Sequence, residues 1–316
     1  MRTAREGVNT DYISLGFISC CRKMLAMKRL LAFCIALLTT AALAQSPVDS
    51  LVAAERAFAK RSHDTNVRDA FLAYFADDGI VFNPGPTNAK ALYANSAPIP
   101  SPSPLTLDWA PAYAEVSQSG QLGFTTGPYV RTDNVKKAVT AQGTFFSVWE
   151  KQAKGDWKVL LDCGVPTSNA VNLQSVSVTT GTPSTFHAKA GGDMQAEMME
   201  ITTAEKALSL GTTEARMKVY DEALAPNAFV VQDGLKQLTD VASRKKHVDE
   251  MKLVEKWYLR GGTISNTHDL AYVYGTYEAH AMKDPTGKAQ LGPFARIWKR
   301  DAQGKWRIVV DNTQPH

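Results

Sequence analysis

The six tryptophans of the chain form three pairs with nearly equal spacing. The pairs are Trp109 and Trp257, Trp149 and Trp298, and Trp157 and Trp306, and their members lie 148, 149 and 149 residues apart. Solenoid repeats have periods of roughly 20–50 residues, so a much longer period indicates two folded units. The chain is therefore predicted to be one domain used twice, with a core in each copy.

The sequence around the tryptophans repeats as well. Ala54-Glu55-Arg56 returns as Ala204-Glu205-Lys206, and the closing stretches 143–166 and 292–315 align without a gap. We predict a first domain over 47–166 (repeat one), a linker over 167–194 and a second domain over 195–316 (repeat two). The linker is rich in small and polar residues, which bury little surface. Its Val176-Ser177-Val178 segment is expected to add a short edge strand.

The N-terminal 44 residues have the pattern of a leader. Lys28 and Arg29 precede the apolar run 30–38, and Ala42-Leu43-Ala44 follows. This order is typical of a cleaved signal peptide over 24–44. The apolar run is shorter than the roughly 20 residues that span a bilayer, so no stable membrane insertion is expected. The mature chain is predicted to begin at Gln45 and to be periplasmic or secreted.

Two alternatives stay open for residues 1–23. They are either an over-extended start, with translation from Met24 or Met27, or an unusually long charged region that begins at Met1.

Cleavage of the leader changes the charge of the chain. The sequence has 35 Lys and Arg against 31 Asp and Glu, and residues 1–44 hold six and two of these, which leaves 29 of each. No basic cluster wide enough to follow a phosphate backbone remains, so we expect no nucleic-acid partner. Three of the four cysteines lie in the leader as well. Only Cys163 remains, and it is expected to be a core residue.

Both repeats predict the same order of elements: two helices, a short strand, a third helix and four strands. In repeat one the helices are predicted at 48–63, 67–75 and 87–95 and the strands at 80–82, 105–117, 121–132, 142–152 and 156–163. In repeat two the helices are predicted at 196–210, 212–223 and 239–250 and the strands at 229–231, 253–265, 269–283, 291–301 and 304–312. Helices grouped first and antiparallel strands grouped last indicate an α+β fold.

This order resembles the nuclear transport factor 2-like superfamily, which includes ketosteroid isomerase and the SnoaL-like cyclases. In repeat one the resemblance is carried by AERAFA at 54–59, FADDGIVF at 75–82, GQLGFTTGPYV at 120–130 and the stretch 143–166. In repeat two it is carried by TAEKAL at 203–208, HDLAYVYGTYE at 268–278 and the stretch 292–315. The likeness is closest to bacterial members of unknown function.

The resemblance implies two tandem cone-shaped α+β barrels, in which a strongly curved, mostly antiparallel sheet wraps helices around an apolar pocket. Superfamily members often dimerise through their sheets. We therefore expect an intrachain pseudo-dimer that is a monomer in solution. The superfamily hosts isomerases, dehydratases, cyclases and binding modules, so the fold alone does not select an activity.

One glutamate in each repeat shares a helix stripe with large apolar residues. Glu55 lies between Leu51 and Phe58 at helical spacing, and Glu205 repeats the pattern. A carboxylate drawn toward a core has either a raised pKa or a hydrogen-bonding or cationic partner. The functional interpretation is a general acid/base, and the alternative is a structural glutamate paired with backbone amides or with an arginine such as Arg131 or Arg296.

An aspartate ends the last strand of each repeat. Strand alternation places Trp157, Val159, Leu161 and Cys163 on one face and Asp162 on the other, and Asp311 repeats this position. The apolar face is expected to meet the helices and the pocket. Asp162 and Asp311 are then expected to point away from the pocket unless a bulge re-aims them. We keep both as candidate catalytic residues beside Glu55 and Glu205.

The six histidines have no metal-ligand spacing, and no nucleotide-binding or nucleophile motif is present, so no metal and no cofactor are expected. Aromatic residues are the candidate pocket lining, because tyrosine and tryptophan offer an apolar body with one polar atom. The candidates are Tyr74, Trp109, Tyr113, Tyr129, Trp149, Trp257, Tyr274 and Tyr277.

These observations support three functional hypotheses. The first is an exported small-molecule-binding protein for a small apolar or aromatic molecule. The alternative is an isomerase, dehydratase or cyclase that uses Glu55 or Glu205 with a tyrosine. In the third, one repeat has lost its pocket and serves as a docking surface, since repeat one has the proline-rich segment 98–104 at the position where repeat two has a charged helix.

Overall fold

The computed structural model describes residues 45–187, 192–231, 235–250, 253–281 and 287–314. The predicted leader and its signal peptide lie outside these residues. Pro47–His316 form one compact unit. Within the part of the chain that is described, no helix combines the length and hydropathy needed to cross a membrane.

Repeat one has three helices and one sheet. The helices are α1 (Pro47–Asp64), α2 (Val67–Tyr74) and α3 (Ala89–Asn95). The strands are β1 (Phe75–Phe82), β2 (Pro86–Asn88), β3 (Leu105–Trp109), β4 (Tyr113–Val116), β5 (Leu122–Asp133), β6 (Ala138–Lys151), β7 (Trp157–Pro166) and the linker strand β8 (Thr179–Thr180). Their order in the sheet is β2-β1-β7-β6-β5-β4-β8, and β3 also pairs with β5.

Repeat two has the same layout. Its helices are α4 (Met194–Ala207), α5 (Thr213–Ala223) and α6 (Val241–Glu250). Its strands are β9 (Leu224–Val231), β10 (Leu235–Gln237), β11 (Leu253–Ile264), β12 (Leu270–Ala281), β13 (Gln290–Arg300) and β14 (Trp306–Thr313). Their order is β10-β9-β14-β13-β12-β11.

The two sheets therefore have matching strand orders. The first strand of each repeat, β1 or β9, runs parallel to the last strand, β7 or β14, and the long strands are antiparallel. The prediction of an α+β fold with helices packed on curved sheets is confirmed. Within the described residues both sheets are open, so the word barrel describes their curvature and not a closed ring.

Polar side chains begin the shorter helices. Asn66 accepts a hydrogen bond from the backbone of Asp69 at the start of α2, and Thr212 accepts one from Ala215 at the start of α5. Such caps satisfy backbone N–H groups that have no partner inside the helix. They fix where each helix begins relative to the sheet below it.

The strand predicted at 105–117 is broken in the structure. Residues 110–112 separate β3 from β4, and Pro111 at the centre has no backbone N–H for the sheet. Repeat two has one continuous strand here, β11, with a bulge between Leu259 and Gly261. Gly262 has a φ of 158°, and a Cβ there would lie 2.2 Å from the carbonyl oxygen of Tyr272, so the bulged strand requires glycine.

The linker strand lies two residues from its predicted position. β8 is Thr179–Thr180, and it pairs parallel to β4 with Thr179 opposite Tyr113, so the prediction of a strand at 176–178 was wrong. β7 ends at Pro166 and α4 begins at Met194. The domain bounds themselves stay a prediction.

Each repeat has an apolar interior between its helices and its sheet. Interior residues of repeat one include Leu51, Phe58, Phe71, Phe75 and Trp149. Interior residues of repeat two include Ile201, Leu208, Tyr220, Phe294 and Trp298.

A third apolar cluster contains residues of both sheets. Its members include Phe124, Phe146, Leu161 and Cys163 from repeat one and Phe229, Ile297 and Val310 from repeat two. Each sheet thus buries both of its faces, one against helices and one against the other sheet. This explains why the long strands read as nearly continuous apolar runs.

Candidate functional site

A β-bulge decides where Asp162 points. In the pairing of β6 with β7, Val148 lies opposite Leu161 and Trp149 opposite Val159, so Leu160 is an extra residue. An inserted residue reverses the alternation beyond it. Trp157 and Val159 therefore belong to the interior of repeat one, whereas Leu161 and Cys163 belong to the cluster between the sheets.

The expectation that Leu161 faces the pocket was consequently wrong, and Cys163, although it borders the cavity beside Asp162, belongs to the cluster between the sheets. The expectation that Asp162 points away from the pocket was wrong too, because the bulge turns this carboxyl inward. Repeat two has a β-bulge at the equivalent position: Ile297 lies opposite Val310 and Trp298 opposite Ile308, so Val309 is the extra residue. Asp311 is turned into the interior of repeat two, where it meets Tyr220 and Arg296.

Glu55 lies in closed packing and is fully buried. Trp109 Nε1 donates to its Oε1 at 2.6 Å, and Trp149 Nε1 donates to its Oε2 at 2.8 Å. Thr125 Oγ1 donates to the same Oε2 at 2.5 Å. The proposed partner Arg131 is exposed and bonds Thr140 instead, so that pairing was wrong. The α1 glutamate is held by neutral donors.

Burial raises the pKa of Glu55 above its ordinary value, because the hydrogen bonds from Thr125 and the two tryptophans only partly offset desolvation. Glu55 is not among the residues that line the cavity beside Asp162. Its geometry favours the structural interpretation, in which the carboxyl joins α1 to three strands.

Of the two candidate carboxyls of repeat one, Asp162 is the one that lines an apolar cavity. Its Oδ2 accepts a hydrogen bond from Ser147 Oγ at 2.6 Å. Burial is the main cause that raises its pKa to about 8; the Ser147 hydrogen bond opposes this shift, and the nearby Glu55 carboxyl adds to it. A carboxyl with this pKa exchanges its proton near neutral pH.

The cavity beside Asp162 has a volume of about 80 Å³. It is lined by Phe71, Leu107, Trp109, Tyr129, Phe145, Asp162, Cys163 and Gly164. The lining is aromatic and apolar apart from the Asp162 carboxyl and the tyrosine hydroxyl. Such a space with one convergent polar group is typical of a small-molecule site.

Repeat two carries an arginine where repeat one carries Ser147. Arg296 is fully buried, and its Nη1 donates to Glu205 Oε2 at 2.6 Å while its Nε donates to Asp311 Oδ1 at 2.9 Å. Trp298 Nε1 donates to Glu205 Oε1 at 2.8 Å. Burial raises the pKa of Glu205, and the Arg296 charge opposes this. The alternative pairing of Glu205 with Arg296 is what the structure shows.

The guanidinium of Arg296 lies against aromatic rings. Its Cζ is 3.8 Å from the centre of the Trp257 ring and 4.7 Å from that of Phe294. Trp257 and Phe294 are equivalent to Trp109 and Phe145, which line the cavity of repeat one. The Arg296 guanidinium thus packs on the two rings whose counterparts line the cavity of repeat one.

The Asp311 carboxyl extends this network toward α6. Tyr220 Oη donates to Asp311 Oδ2 at 2.6 Å, and the same hydroxyl lies 3.3 Å from His247 Nε2. Both of these neighbours are buried. Repeat two therefore holds a connected polar network in which the two carboxylates share one arginine.

The predicted pocket aromatics are distributed over three environments. Trp109 and Tyr129 line the cavity of repeat one. Trp149 is fully buried beneath it, and Tyr74 packs on Phe58. Trp257 and Tyr277 pack together in the interior of repeat two.

Tyr113 and Tyr274 lie outside both interiors, so their assignment to the pocket linings was wrong. Tyr113 packs on Phe229 of the other repeat, and Tyr274 packs beside the cluster between the sheets. Tyr113 borders a separate groove of about 410 Å³, where it donates to the buried Glu115 carboxylate. Lys299 from repeat two pairs with the same carboxylate at 2.5 Å.

Sequence reasoning missed Ser147 and most of the apolar lining of the cavity. The signal for Ser147 was present, because the ungapped alignment of 143–166 with 292–315 sets it against Arg296. Among the described residues, no group of three or more His, Cys, Asp or Glu side chains is placed to hold a metal ion.

No family model matches the chain, and no curated protein matches it. Solved structures are similar to part of it. An NTF-2-like protein of unknown function from Shewanella oneidensis is 13% identical with a TM-score of 0.29, over 38% of this chain and 98% of that one. An NTF2-like protein of unknown function from Pseudomonas putida is 12% identical with a TM-score of 0.31, over 39% and 89%.

A third, an NTF2-like protein with a cystatin-like fold from Novosphingobium aromaticivorans, is 14% identical with a TM-score of 0.30, over 39% and 81%. At such identities and scores the similarities carry no argument about activity.

Proposed function

We propose that repeat one binds a small, flat molecule in the cavity beside Asp162. The observation that carries the proposal is a single carboxyl opening onto an otherwise aromatic and apolar space. Trp109 and Phe145 offer ring surfaces, and Asp162 offers one hydrogen-bonding group that orients the ligand. This arrangement supports a binding function for repeat one more directly than for repeat two, where Arg296 lies in the equivalent space.

The volume limits what the cavity holds. An engineered cavity of about 150 Å³ binds benzene, and the cavity here is about 80 Å³. The ligand is therefore a molecule of a few non-hydrogen atoms, or the flat end of a larger one that extends outward. A bulky polycyclic ligand does not fit without rearrangement of the lining.

The test is binding of small flat fragments by calorimetry. Acetamide, phenol, imidazole and methylguanidinium are titrated into the wild type and into Gly164→Thr, which copies the threonine of repeat two at this position. A Cβ on Gly164 lies 3.0 Å from Tyr129 Cε1, so the added side chain narrows the cavity. We expect at least one fragment to bind the wild type and to bind Gly164→Thr about tenfold more weakly.

Asp77→Asn is the matched control. Asp77 is an exposed carboxyl of repeat one that pairs with Lys90 and is not among the residues that line the cavity. Equal binding to wild type and Gly164→Thr contradicts the site, and so does the failure of every fragment to bind the wild type.

A second candidate function is general acid/base catalysis by Asp162. The favouring observation is its pKa of about 8 inside an apolar space, which suits proton transfer near neutral pH. Butanone in deuterated buffer is a suitable probe, because loss of its α-proton is visible by NMR. We expect exchange above the buffer rate in wild type and Asp77→Asn and none in Asp162→Asn. Equal exchange in wild type and Asp162→Asn excludes the reaction.

We infer that the mature protein is exported. The supporting observation is the charged, apolar and Ala-x-Ala order that ends at Ala44. N-terminal sequencing of protein from the extracytoplasmic fraction is expected to begin at Gln45. Recovery of an uncleaved chain from the cytoplasm contradicts export.

We also infer that the chain is a monomer with an internal pseudo-dimer. The cluster that contains Phe146 and Leu161 of one sheet also contains Ile297 and Val310 of the other, so each sheet face is already covered within one chain. Size-exclusion chromatography with light scattering is expected to give the mass of one chain. A stable dimer at micromolar concentration contradicts the inference.

A further inference from the structure

We propose that the ligand of repeat one is a small planar cation of the guanidinium or amidinium class. It lies between Asp162 and the Trp109 ring, as the Arg296 side chain lies in repeat two. The inference rests on the proposed binding function and narrows it to one ligand chemistry.

Three lining positions of the cavity have identical counterparts around Arg296. Trp109 and Phe145 of the cavity match Trp257 and Phe294, against which the Arg296 guanidinium packs. Asp162 matches Asp311, whose carboxylate accepts from Arg296 Nε. In repeat two, this combination of tryptophan, phenylalanine and aspartate thus accommodates a guanidinium group.

Repeat one keeps the carboxyls of that arrangement and has a serine in place of the arginine. Ser147 reaches Asp162 with its hydroxyl, but it carries no charge and does not extend over Trp109. Among the ion pairs of the described residues, none includes Glu55 or Asp162. The buried Glu55 carboxyl and the partly buried Asp162 carboxyl therefore face the interior of repeat one without a cation from the described part of the chain.

The environment of Asp162 is suited to a delocalised cation. A guanidinium is flat and weakly hydrated, it donates two parallel hydrogen bonds to a carboxylate, and it stacks on aromatic rings. A primary ammonium is strongly hydrated and offers no flat face to Trp109. A methylguanidinium ion has five non-hydrogen atoms, which suits a cavity of about 80 Å³.

The experiment is calorimetric titration with methylguanidinium chloride and with methylurea, its neutral counterpart of nearly equal shape. Both are titrated into the wild type, Asp162→Asn, Ser147→Arg and the control Asp77→Asn at about pH 9, where Asp162 is ionised. We expect methylguanidinium to bind the wild type and Asp77→Asn with one site per chain. It is expected to bind Asp162→Asn at least about tenfold more weakly, because a charge-assisted hydrogen bond is lost.

Ser147→Arg gives repeat one its own internal guanidinium, and we expect it to abolish binding. Should that variant fail to fold, Gly164→Thr takes its place as the blocked cavity. Methylurea is expected to bind the wild type at least about tenfold more weakly than methylguanidinium.

The outcomes separate this inference from the function on which it rests. Methylurea binding as tightly as methylguanidinium, with both weakened by Gly164→Thr, overturns the cationic ligand and leaves the binding site standing. Methylguanidinium binding equally to wild type and Asp162→Asn overturns the inference as well. Failure of both probes and of the neutral fragments overturns the inference together with the proposed function.

Arg296→Ala supplies an independent check in repeat two. Removing the side chain opens the equivalent space, and methylguanidinium is expected to raise the melting temperature of this variant more than that of the wild type. If methylguanidinium raises the melting temperature of Arg296→Ala no more than methylurea does, the claim that these side chains select a planar cation is contradicted.

Discussion

The two repeats share a fold and differ at one interior position that changes their electrostatics. Ser147 in repeat one leaves Glu55 and Asp162 among neutral donors, whereas Arg296 in repeat two joins Glu205 and Asp311. The same strand order thus supports a cavity in one copy and a buried ion-pair network in the other. Duplication of a fold does not duplicate its site, because a single inward side chain determines the charge and the free space.

Removal of Arg296 is expected to give the largest loss of stability. Arg296→Ala leaves the buried Glu205 and Asp311 without their shared cation, and we expect the free energy of unfolding to fall by about 3–5 kcal/mol. Urea denaturation measures the change. The control Arg131→Ala removes an exposed arginine and is expected to change it by less than about 0.5 kcal/mol. Equal effects of the two substitutions contradict the network.

The two equivalent glutamates, Glu55 and Glu205, are expected to contribute differently to the stability of the folded protein. Glu205→Gln deprives Arg296 of a buried ion-pair partner, and we expect a loss of about 3 kcal/mol. Glu55→Gln keeps one acceptor oxygen for three converging donors, and we expect a loss of about 1–2 kcal/mol. Urea denaturation of both variants under one condition decides the order. A larger loss for Glu55→Gln reverses our assignment of the charged network to repeat two.

The pH dependence of stability tests Asp162. Its pKa is about 8 in the folded protein against an ordinary value of 3.8, so between these values the folded state binds more protons than the unfolded state. The stabilisation is fully present below pH 3.8 and is lost as the pH rises through about 8. We expect Asp162→Asn to lose less stability than the wild type between about pH 5 and about pH 9 in urea titrations. Parallel curves contradict the assignment.

The smallest expected effect comes from Gly164→Ala. A Cβ here lies 3.0 Å from Tyr129 Cε1, and the tyrosine is only partly buried, so it has room to shift. We expect a change in the free energy of unfolding of less than about 1 kcal/mol, with weaker binding of cavity ligands. Calorimetric binding and urea denaturation of the same preparation separate the two effects. A large loss of stability shows that the cavity wall is rigid.

Much of the fold follows from the sequence because the repeat supplies two independent copies of each pattern. Helices α1 and α4 are predictable from their apolar spacing, and the closing hairpins from Gly155 and Gly304 in their turns. The break between β3 and β4 was not predicted, although Pro111 marks it. A strand pattern alone does not show whether a strand is interrupted at a proline or continues past it with a bend.

The site was harder to predict because it depends on where each bulge lies. Val159, Leu160 and Leu161 are all apolar, so the alternation gives no sign of which residue is inserted. One residue of difference reverses the faces of everything that follows, including Asp162. The volume of the cavity depends on packing among distant segments such as α2 and β3, which no local pattern specifies.

Cys163 and Asn312 occupy corresponding positions, and Asn312 Nδ2 lies 3.4 Å from Cys163 Sγ in the buried layer between the sheets. In an association of two identical chains, a residue that meets its own counterpart must be compatible with itself, so both sides carry the same side chain with the same donors and acceptors. Covalent fusion of the copies removes that restriction. One position can then carry an amide and the other a thiol, and a substitution at either position has to fit only the side chain opposite it.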